Sequence, residues 1–587
     1  MFRQAVLPLS LAASLLALAA CGSSDNSSSP PATPAVTPQA SLQDALPTAT
    51  PIKHLVVIFG ENVSFDHYFG HYPVAANPSG EPMFNAAANT PAVNGLTPAL
   101  INNNPNATNP LNAALTPPAN VGPFRLDRAQ ANTSDQNHGY TAEQQAYDNG
   151  LADAFPKFTG KGTTNGAGAF GTAGQVMGYF DGNTVTAMWN YAQHFALNDN
   201  AYTDTYGPST PGAIEVISGQ TDGVVLPAAE ASLIPPTGPL PTVALGTLAR
   251  DTEGGLTLIG DGDPTGDVCS SSTTVGFSAT NKNIGTLLSA ANITWGGFMG
   301  GFNLLTVNPN GSTGCNRSHF SSVLNSSPGD YTQHHNWFQY YPSTANPTHA
   351  RPSSIQAIGF STEADGQTPD PANHEYDTDD FFAAVEQGNF PSVSYLKAPA
   401  FEDAHPGNSD PLDEQAFVTQ VINFLQQQPD WNSTAVIVTY DDSDGWYDHR
   451  FATPTSSSFD SLDDQLNGTG TCTASGVPQP GGVNGGPVNG RCGPGTRIPF
   501  LVISPWAKTN FVDDTPISQA SVVRFIEDNW LQSQRIGQGS FDATAGSIMS
   551  MFDFSGSTGK APTLFLDSDT GTPLAAPPAN SANITPD

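Results

Sequence analysis

The stretch "VVIFGENVSFDHYFGHYP", Val56 to Pro73, changes from apolar to strongly polar within a few residues. Its apolar part reads as a buried strand, because β-branched and aromatic side chains follow one another without alternation. The strand runs directly into Glu61 and Asn62, and Ser64 comes two residues later. Three interpretations are open: Ser64 is a nucleophile, Glu61 and Asn62 are metal ligands, or the group is a polar turn with a helix cap.

A second apolar run ends in the same way, since "AVIVTYDD" finishes on Asp441 and Asp442. A tandem aspartate alone would indicate a cap or a turn. Ligands of open α/β sheets bind at the carboxyl ends of strands, so the two strand ends are expected to deliver four oxygen-bearing side chains to one edge. Such oxygens suit Mg²⁺, Ca²⁺ or Mn²⁺, and carboxylates also bind Zn²⁺. The sequence therefore predicts a divalent-metal site without identifying the metal.

The pattern of runs along the chain predicts the fold class. The segments "AIEVISG", "PSVSYLKA" and "RIPFLVISP" also read as strands. Amphipathic segments with helical spacing lie between the runs, such as "PLDEQAFVTQVINFLQQQPDW" before "AVIVTYDD". We predict an α/β protein with a central, largely parallel sheet flanked by helices. Insertions near residues 75–125, 220–280 and 455–495 are expected to be surface loops of a single domain over residues 49–587.

The N-terminus predicts export. "MFRQAVLPLSLAASLLALAACGSS" has the charge, apolar run and small residues of a secretory signal, here residues 1–20. "LAAC" resembles the bacterial lipoprotein lipobox, which implies cleavage before Cys21 and a lipid on its sulfur; ordinary signal cleavage is the alternative. Residues 21–48 are rich in Ser, Pro and Thr and are expected to form a disordered tether. We expect a protein of the bacterial cell envelope, lipid-anchored at the outer membrane or a periplasmic face, or a secreted protein.

Four cysteines remain beyond Cys21, and an oxidising compartment favours two disulfides. Three connectivities are open; pairing of neighbours along the chain, Cys269–Cys315 and Cys472–Cys492, is the simplest. Zinc binding is the rival, but the chain has no CxxC pair to support it.

The charge of the chain excludes one class of partner. Its 587 residues carry a formal net charge of -34. Such a surface repels the phosphates of nucleic acids and disfavours electrostatic docking on anionic lipid. It also fits work at acidic pH, where carboxylates are neutralised, although solubility alone would explain it.

Seven blocks of the sequence carry a resemblance to a known family. They read "IKHLVVIFGENVSFDHYFGHYP", "SDQNHGYTAEQQAYDNG", "YTDTYGPSTPGAIEVISGQT", "HHNWFQYY", "AHPGNSDPLDEQAFV", "VTYDDSDGWYDH" and "RIPFLVISPWAK". In this order they resemble the bacterial phosphoesterase family, within the alkaline phosphatase superfamily. That family contains acid phosphatases and phosphocholine-preferring phospholipases C, and the wording is more similar to the acid phosphatase branch. The resemblance runs from about residue 52 to 530 and implies an alkaline phosphatase-like sheet.

The resemblance also implies roles for individual residues. The metal ligands would be Glu61, Asn62, Asp441 and Asp442. The nucleophile follows the Gly-Pro of the third block and would be Ser209, where the phospholipase branch usually has Thr. A cation that lowers the pKa of this hydroxyl makes chemical sense, because serine is otherwise a poor nucleophile.

Histidines flank the phosphate in the family, and a histidine is suited to protonating the leaving group. The matching blocks give His138, His405 and His335, with His334 as the alternative to the last. Ser64 is expected to cap a helix or turn, and Asp66, His67, Asp444, Asp448 and His449 to support the site. The segment "DGDPTG" at Asp261 resembles the start of an EF-hand loop, but Ser272 stands where glutamate is needed, so no calcium loop is expected there.

Three functions follow from these observations. The first is a metal-dependent acid phosphatase that cleaves phosphomonoesters through a phosphoserine on Ser209. The second is a phospholipase C that cleaves phosphatidylcholine-type phosphodiesters. The third is a non-catalytic surface lipoprotein, which would be expected to lose the ligands that this sequence retains.

Overall fold

A twisted sheet of eight strands forms the centre of the computed structural model, which describes residues 42–234, 238, 240, 246–251, 254–271, 274–556 and 563–578. Residues Ala40–Asp587 form one compact unit. The eight strands are β1 (His54–Gly60), β2 (Ala196–Asn198), β3 (Trp295–Met299), β4 (Glu375–Tyr376), β5 (Val393–Lys397), β6 (Thr434–Tyr440), β7 (Phe500–Ile503) and β8 (Phe511–Asp513). Their spatial order is β4-β3-β5-β1-β6-β7-β2-β8.

The sheet is largely parallel, as predicted. Strand β1 lies between β5 and β6 and pairs in parallel with both. Every residue of β1 is buried, which explains its unbroken apolar run. Strand β7 is the exception to the common direction, because it pairs antiparallel with β6 and with β2. The apolar run of β7 could not reveal this, since a strand covered on both faces reads the same in either direction.

Helices cover the sheet and continue into the loops. They are α1 (Phe65–Phe69), α2 (Pro98–Asn102), α3 (Pro110–Ala113), α4 (Tyr140–Tyr147), α5 (Phe155–Phe158), α6 (Thr186–His194), α7 (Ser209–Ser218), α8 (Ala228–Ala231), α9 (Ile284–Ala290), α10 (Thr378–Glu386), α11 (Pro411–Leu425) and α12 (Ala520–Trp530). The predicted helix before β6 corresponds to α11. Among the described residues, none of these helices is both long and apolar enough to cross a membrane.

One predicted strand is wrong. The segment "AIEVISG" belongs to helix α7, which begins at Ser209 and ends where Gly219 adopts a left-handed backbone conformation. All ten residues of α7 are buried, so its apolar positions do not form a stripe of period 3.6. Buried on all sides, a short helix rich in β-branched residues cannot be distinguished from a buried strand by its pattern.

The insertions have little regular structure and are tied by disulfides. The bridges Cys269–Cys315 and Cys472–Cys492 are both present, which confirms the pairing of neighbours. At the N-terminal side, a short 3-10 helix, Leu42–Ala45, lies within the segment expected to be a tether, and its Gln43 is buried. The signal sequence, Cys21 and the tether up to residue 41 lie outside the described residues.

Candidate active site

The ends of β1 and β6 lie side by side, because Gly60 pairs with Tyr440 in the register of the two strands. The next residues therefore meet: the backbone N–H of Asn62 donates to Asp441 Oδ1 at 3.1 Å. The same oxygen accepts the backbone N–H of Asp442 at 2.8 Å. Asn62 has a positive φ of 57°, a conformation that asparagine tolerates better than most residues. This turn aims its side chain and that of Glu61 at the two aspartates.

Helix α7 delivers the predicted nucleophile to the same place. The turn before the helix contains Gly207, whose φ of 126° favours glycine. The N–H of Gly207 donates to the buried carboxylate of Glu143 at 3.0 Å, which fixes the turn. Ser209 is the first residue of the helix and is fully buried. Its Oγ lies 3.1 Å from both Glu61 Oε2 and Asp442 Oδ2, within hydrogen-bond distance of either.

The helix lies unusually close to the end of β6. A Cβ atom on Gly212 would stand 2.1 Å from the carbonyl oxygen of Asp441, too close for any side chain. A glycine at this position is therefore what allows α7 to bring its first residue against Asp441 and Asp442.

Four oxygen-bearing side chains converge where the sequence predicts a metal. With its oxygen toward the cluster, the amide of Asn62 has Oδ1 at 3.4 Å from Ser209 Oγ. With the amide turned over, the nitrogen occupies that position and donates to Glu61 Oε2 at 2.8 Å and Asp442 Oδ2 at 3.1 Å. An octahedral cation with ligands at about 2.1 Å requires oxygens roughly 3.0 Å apart. The donor set and its spacing fit a small divalent cation, bound with the Asn62 oxygen facing inward.

The electrostatics of the cluster also favour a cation. Burial and the neighbouring Glu61 charge raise the pKa of Asp441 well above the usual range. Burial likewise raises the pKa of Asp442, against the charge of His138. Burial also disfavours ionised Glu61, but its contacts with His335 and Lys397 outweigh it and hold its pKa well below the usual range. Asp441 Oδ2 is buried with no hydrogen-bond partner among the described residues.

The four candidate histidines surround this cluster. His335 is buried, and its Nδ1 lies 2.9 Å from Glu61 Oε1. Burial lowers the pKa of His335 to about 3, so the ring is neutral and suited to holding Glu61. His334 is more open, with 29% of its side chain exposed, and its carbonyl accepts the Thr210 hydroxyl at 3.1 Å. Nδ1 of His334 is 3.9 Å from Asp263.

The other two histidines, His138 and His405, are partly exposed. His138 Nδ1 is 3.1 Å from Asp444 Oδ1. Burial lowers the pKa of His138, but the charges of Asp442 and Asp444 outweigh it, and the pKa lies well above its usual value. His405 Nε2 is 3.2 Å from the Asn62 amide oxygen when that amide is turned over. The rings of His138 and His405 are 6.2 Å apart between centroids.

Histidine nitrogens also come within reach of a cation. Of the five groups among the described residues whose ligand atoms lie within 4.8 Å of one another, two contain candidate histidines of this site. One is Glu61, His335 and His405; the other is Asp135, His138 and His405. The oxygen-rich set around Ser209 differs from both in having no nitrogen ligand, which leaves the identity of the metal open.

The sequence did not reveal several residues of the site. Lys397, the last residue of β5, contacts Glu61 Oε1 from behind. Asp261 accepts both the backbone N–H and the hydroxyl of Thr210 at 3.0 Å, and so fixes the residue after Ser209. Lys397 could have been found from the sequence, because it ends a strand-like run and the ends of parallel strands meet at one edge of the sheet. Asp261 lies in a loop whose partner is 51 residues away along the chain, and it had no such signal.

The first motif also contains residues that support the site without entering it. Ser64 caps helix α1 by accepting the backbone N–H of His67 at 3.2 Å. Asp66 forms ion pairs with Arg497 at 2.9 Å and with His449 at 2.6 Å. The capping role expected of Ser64 is therefore present in the structure.

Several known proteins are similar to this chain in sequence or in structure. A non-hemolytic phospholipase C of Burkholderia pseudomallei is 32% identical over 186 residues, which are 31% of this chain and 25% of that protein. The chain thus matches about a quarter of that relative's length. Phospholipase C A of Mycobacterium tuberculosis is 23% identical over 516 residues, 86% of this chain and 78% of that protein. A phosphonate monoester hydrolase from Silicibacter pomeroyi, a solved structure, is 13% identical with a TM-score of 0.25, covering 64% of this chain and 72% of that one.

The family model described as "Phosphoesterase family" matches residues 52–531, which include both strand ends and the start of α7. By this match over most of its length, the chain belongs to the phosphoesterase family.

Proposed function

We propose that the protein is a metal-dependent hydrolase of phosphoric esters that acts on phosphomonoesters through Ser209. One observation carries this proposal: the Ser209 hydroxyl lies 3.1 Å from both Glu61 Oε2 and Asp442 Oδ2, within the oxygen cluster that fits a cation. A serine without such neighbours would be a weak nucleophile.

The residues then have distinct roles. A cation held by Glu61, Asn62, Asp441 and Asp442 would lower the pKa of the hydroxyl and offset the charge of the phosphate. The Ser209 hydroxyl gives up its proton to solvent, and its Oγ forms a bond to phosphorus while the bond to the leaving oxygen breaks, which gives phosphoserine. The leaving oxygen takes a proton from His138 or His405. Water then attacks phosphorus and returns a proton to that histidine, the bond to Oγ breaks, and phosphate leaves while Oγ takes up a proton to restore the Ser209 hydroxyl.

His138 is the better placed of the two as an acid. Its pKa lies well above the usual value because the charges of Asp442 and Asp444 outweigh the effect of burial, so the ring carries a proton at neutral pH. His335 takes a different role, because its ring is neutral and contacts Glu61; we assign it to positioning that ligand.

A second candidate function is phospholipase C activity. It is supported by the relatives, several of which are phospholipases C, including one that matches 86% of this chain. Large apolar side chains are also exposed in one disulfide-tied segment, with Leu305 77% and Phe320 56% exposed. His319 of this segment packs against Phe401 at 4.5 Å between ring centroids, four residues before His405. A lipid substrate would make use of such a surface.

Comparing two substrates separates these functions. Purified protein with added divalent metal is tested on p-nitrophenyl phosphate and on p-nitrophenylphosphorylcholine. Faster turnover of the monoester, with a higher rate at acidic pH, supports the phosphatase; faster turnover of the choline ester supports the phospholipase C. Turnover of neither with any divalent ion contradicts both and favours a non-catalytic surface protein.

The nucleophile is tested separately. Ser209→Ala is expected to lower kcat by at least about 10³-fold, as removal of a covalent nucleophile does. Ser218→Ala is the matched control, because Ser218 is a buried serine of the same helix that donates to Ile214 O at the other end. Wild-type-like turnover by Ser209→Ala would contradict the proposed role while leaving the metal site untouched.

The proposed location rests on the sequence. We propose that the enzyme works in the cell envelope, attached through a lipid on Cys21, a residue outside the described part of the chain. Labelled palmitate should enter the wild-type protein and not Cys21→Ala; equal labelling of both would contradict the anchor.

A further inference from the structure

Lys397 is a buried cation beside the proposed metal ligands. It is the last residue of strand β5, which β1 separates from β6, and its side chain is fully buried. Its Nζ forms an ion pair with Glu61 Oε1 and lies 3.8 Å from Asp441 Oδ2. The same atom lies 5.2 Å from the centre of the Phe59 ring, so an apolar wall stands beside it. A lysine buried in this way must be compensated by the carboxylates that it faces.

The two oxygens of Glu61 face different surroundings. Oε1 contacts Lys397 and lies 2.9 Å from His335 Nδ1. Oε2 faces Ser209 Oγ at 3.1 Å and the terminal amide atom of Asn62 at 2.8 Å. Because Lys397 and His335 both contact Oε1, only Oε2 is presented to the oxygen cluster.

We propose that Lys397 determines which cations this site binds. By holding Oε1, it makes Glu61 a ligand with a single oxygen, whereas Ca²⁺ commonly takes two oxygens from one carboxylate to reach six to eight ligands. A smaller ion with six ligands, such as Mg²⁺ or Mn²⁺, has less need of that second oxygen. The charge of Lys397 also opposes any cation bound to the same carboxylates, so it weakens divalent binding while stabilising the metal-free site.

The simplest alternative is that Lys397 and Glu61 form a buried ion pair that has no effect on metal affinity. Removing one partner of such a pair destabilises a protein strongly, because an uncompensated charge remains buried. Both interpretations therefore predict that the metal-free protein melts at a lower temperature without Lys397. They differ in what they predict for metal affinity, which makes binding the decisive measurement.

The test measures binding of metal alone to the metal-free protein. Wild type and Lys397→Met are stripped with EDTA, and Mg²⁺, Mn²⁺ and Ca²⁺ are titrated by calorimetry. Lys508→Met is the control, because Lys508 also lies over an aromatic ring, 4.4 Å from the centre of Phe511, but away from the site. Lys397→Met is expected to bind all three ions at least tenfold more tightly, with the largest gain for Ca²⁺, and Lys508→Met to match wild type.

Two outcomes overturn the inference. One is a set of affinities in Lys397→Met within threefold of wild type for every ion, even if its melting temperature falls. The other is a wild-type protein that binds Ca²⁺ tenfold more tightly than Mg²⁺. Lys397→Gln, which keeps an N–H donor without the charge, replaces the methionine variant if the latter does not fold.

This inference rests on the metal site of the proposed function, and the two fail in different ways. If the wild-type protein binds no divalent cation, the metal site itself is wrong. If it binds one, loses it on Asp442→Asn, and keeps its preference in Lys397→Met, the metal site stands and the role of Lys397 does not.

Discussion

Arg497 joins two parts of the chain through a buried ionic cluster outside the metal site. Its guanidinium contacts Asp66 at 2.9 Å and Asp448 at 3.1 Å, and His449 Nδ1 lies 2.6 Å from Asp66. His449 Nε2 lies 3.2 Å from Asn94 Oδ1. Helix α1 is thereby tied to the loop that follows β6. Because both segments also carry proposed metal ligands, the cluster fixes the distance between the two halves of the site.

This cluster predicts a pH-dependent contribution to stability. Burial lowers the pKa of His449, but the charge of Asp66 outweighs it, so the pKa in the folded protein lies above the unfolded value. His449 therefore stabilises fully below a pH of about 6.5 and loses this contribution as the pH rises through its folded pKa. Burial opposes ionised Asp66, but His449 and Arg497 lower its pKa, so its contribution is lost only in acid. The pair is expected to be most stabilising in mildly acidic solution.

We expect His449→Gln to lower the free energy of unfolding by about 1–3 kcal/mol at pH 5.5, the range for hydrogen bonds to charged groups, and by less at pH 9. Urea unfolding at the two pH values measures the difference. His71→Gln is the control, since His71 bonds to the backbone of Val74 at an exposed position. An equal loss at both pH values would mean that the charge of His449 does not matter.

Single residues also show how much of the site could be predicted. Glu61, Asn62, Asp441 and Asp442 follow apolar strands, so the rule about strand ends locates them from local sequence alone. Ser209 required the resemblance, because nothing in its own segment marks it as a nucleophile. Asp261 and Glu143 act on the backbone of Thr210 and Gly207, contacts between distant segments that no local pattern encodes.

At the scale of elements, the approach of helix α7 to strand β6 is the decisive feature. Three turns of helix start at Ser209, and the third residue after it, Gly212, touches the backbone of Asp441. The apolar run of this helix resembles a strand in sequence, because burial on every side removes the helical period. The close packing that removes this period also positions Ser209.

Gly212→Ala tests this packing. Its Cβ would stand 2.1 Å from Asp441 O, so the helix must move away from the ligands. We expect a loss of turnover of about 10²-fold, as small misplacements of reacting groups produce, with stability reduced by about 1–3 kcal/mol. Gly486→Ala is the control, because a Cβ there meets nothing within 4 Å. Unchanged turnover in Gly212→Ala would show that the position of α7 is not critical.

For the whole molecule, the centre of the sheet is predictable, and its edges and the insertions are not. The four central strands, β5, β1, β6 and β7, are apolar runs that the sequence predicts, whereas the edge strands β2, β3, β4 and β8 are not predicted, and β4 has only two residues. The insertions contain many Gly, Pro and Asn residues and no sustained helix or strand pattern, so tertiary contacts and cross-links determine their paths. The disulfide pairing was predicted from proximity along the chain, and it ties two of these insertions.

Each disulfide should therefore contribute to global stability by an amount that rises slowly with the length of the loop that it closes. Cys269–Cys315 spans 46 residues, for which loop-closure entropy gives about 4 kcal/mol. Cys472–Cys492 spans 20 residues, which gives about 3 kcal/mol. We expect the double variant Cys269→Ser/Cys315→Ser to lose more free energy of unfolding than Cys472→Ser/Cys492→Ser, as measured by denaturation in urea.

The two variants should also differ in activity. Cys315 lies four residues before His319, which packs on Phe401 near His405, whereas the Cys472–Cys492 bridge lies in the 455–495 insertion, among residues that pack with Tyr140 and Trp446. Opening Cys269–Cys315 is therefore expected to raise KM more than it lowers kcat, because it loosens the segment beside His405 without moving Ser209. If both variants have the same kcat and KM as wild type, the insertions do not contribute to substrate binding. The site would then consist of the strand ends and the start of α7.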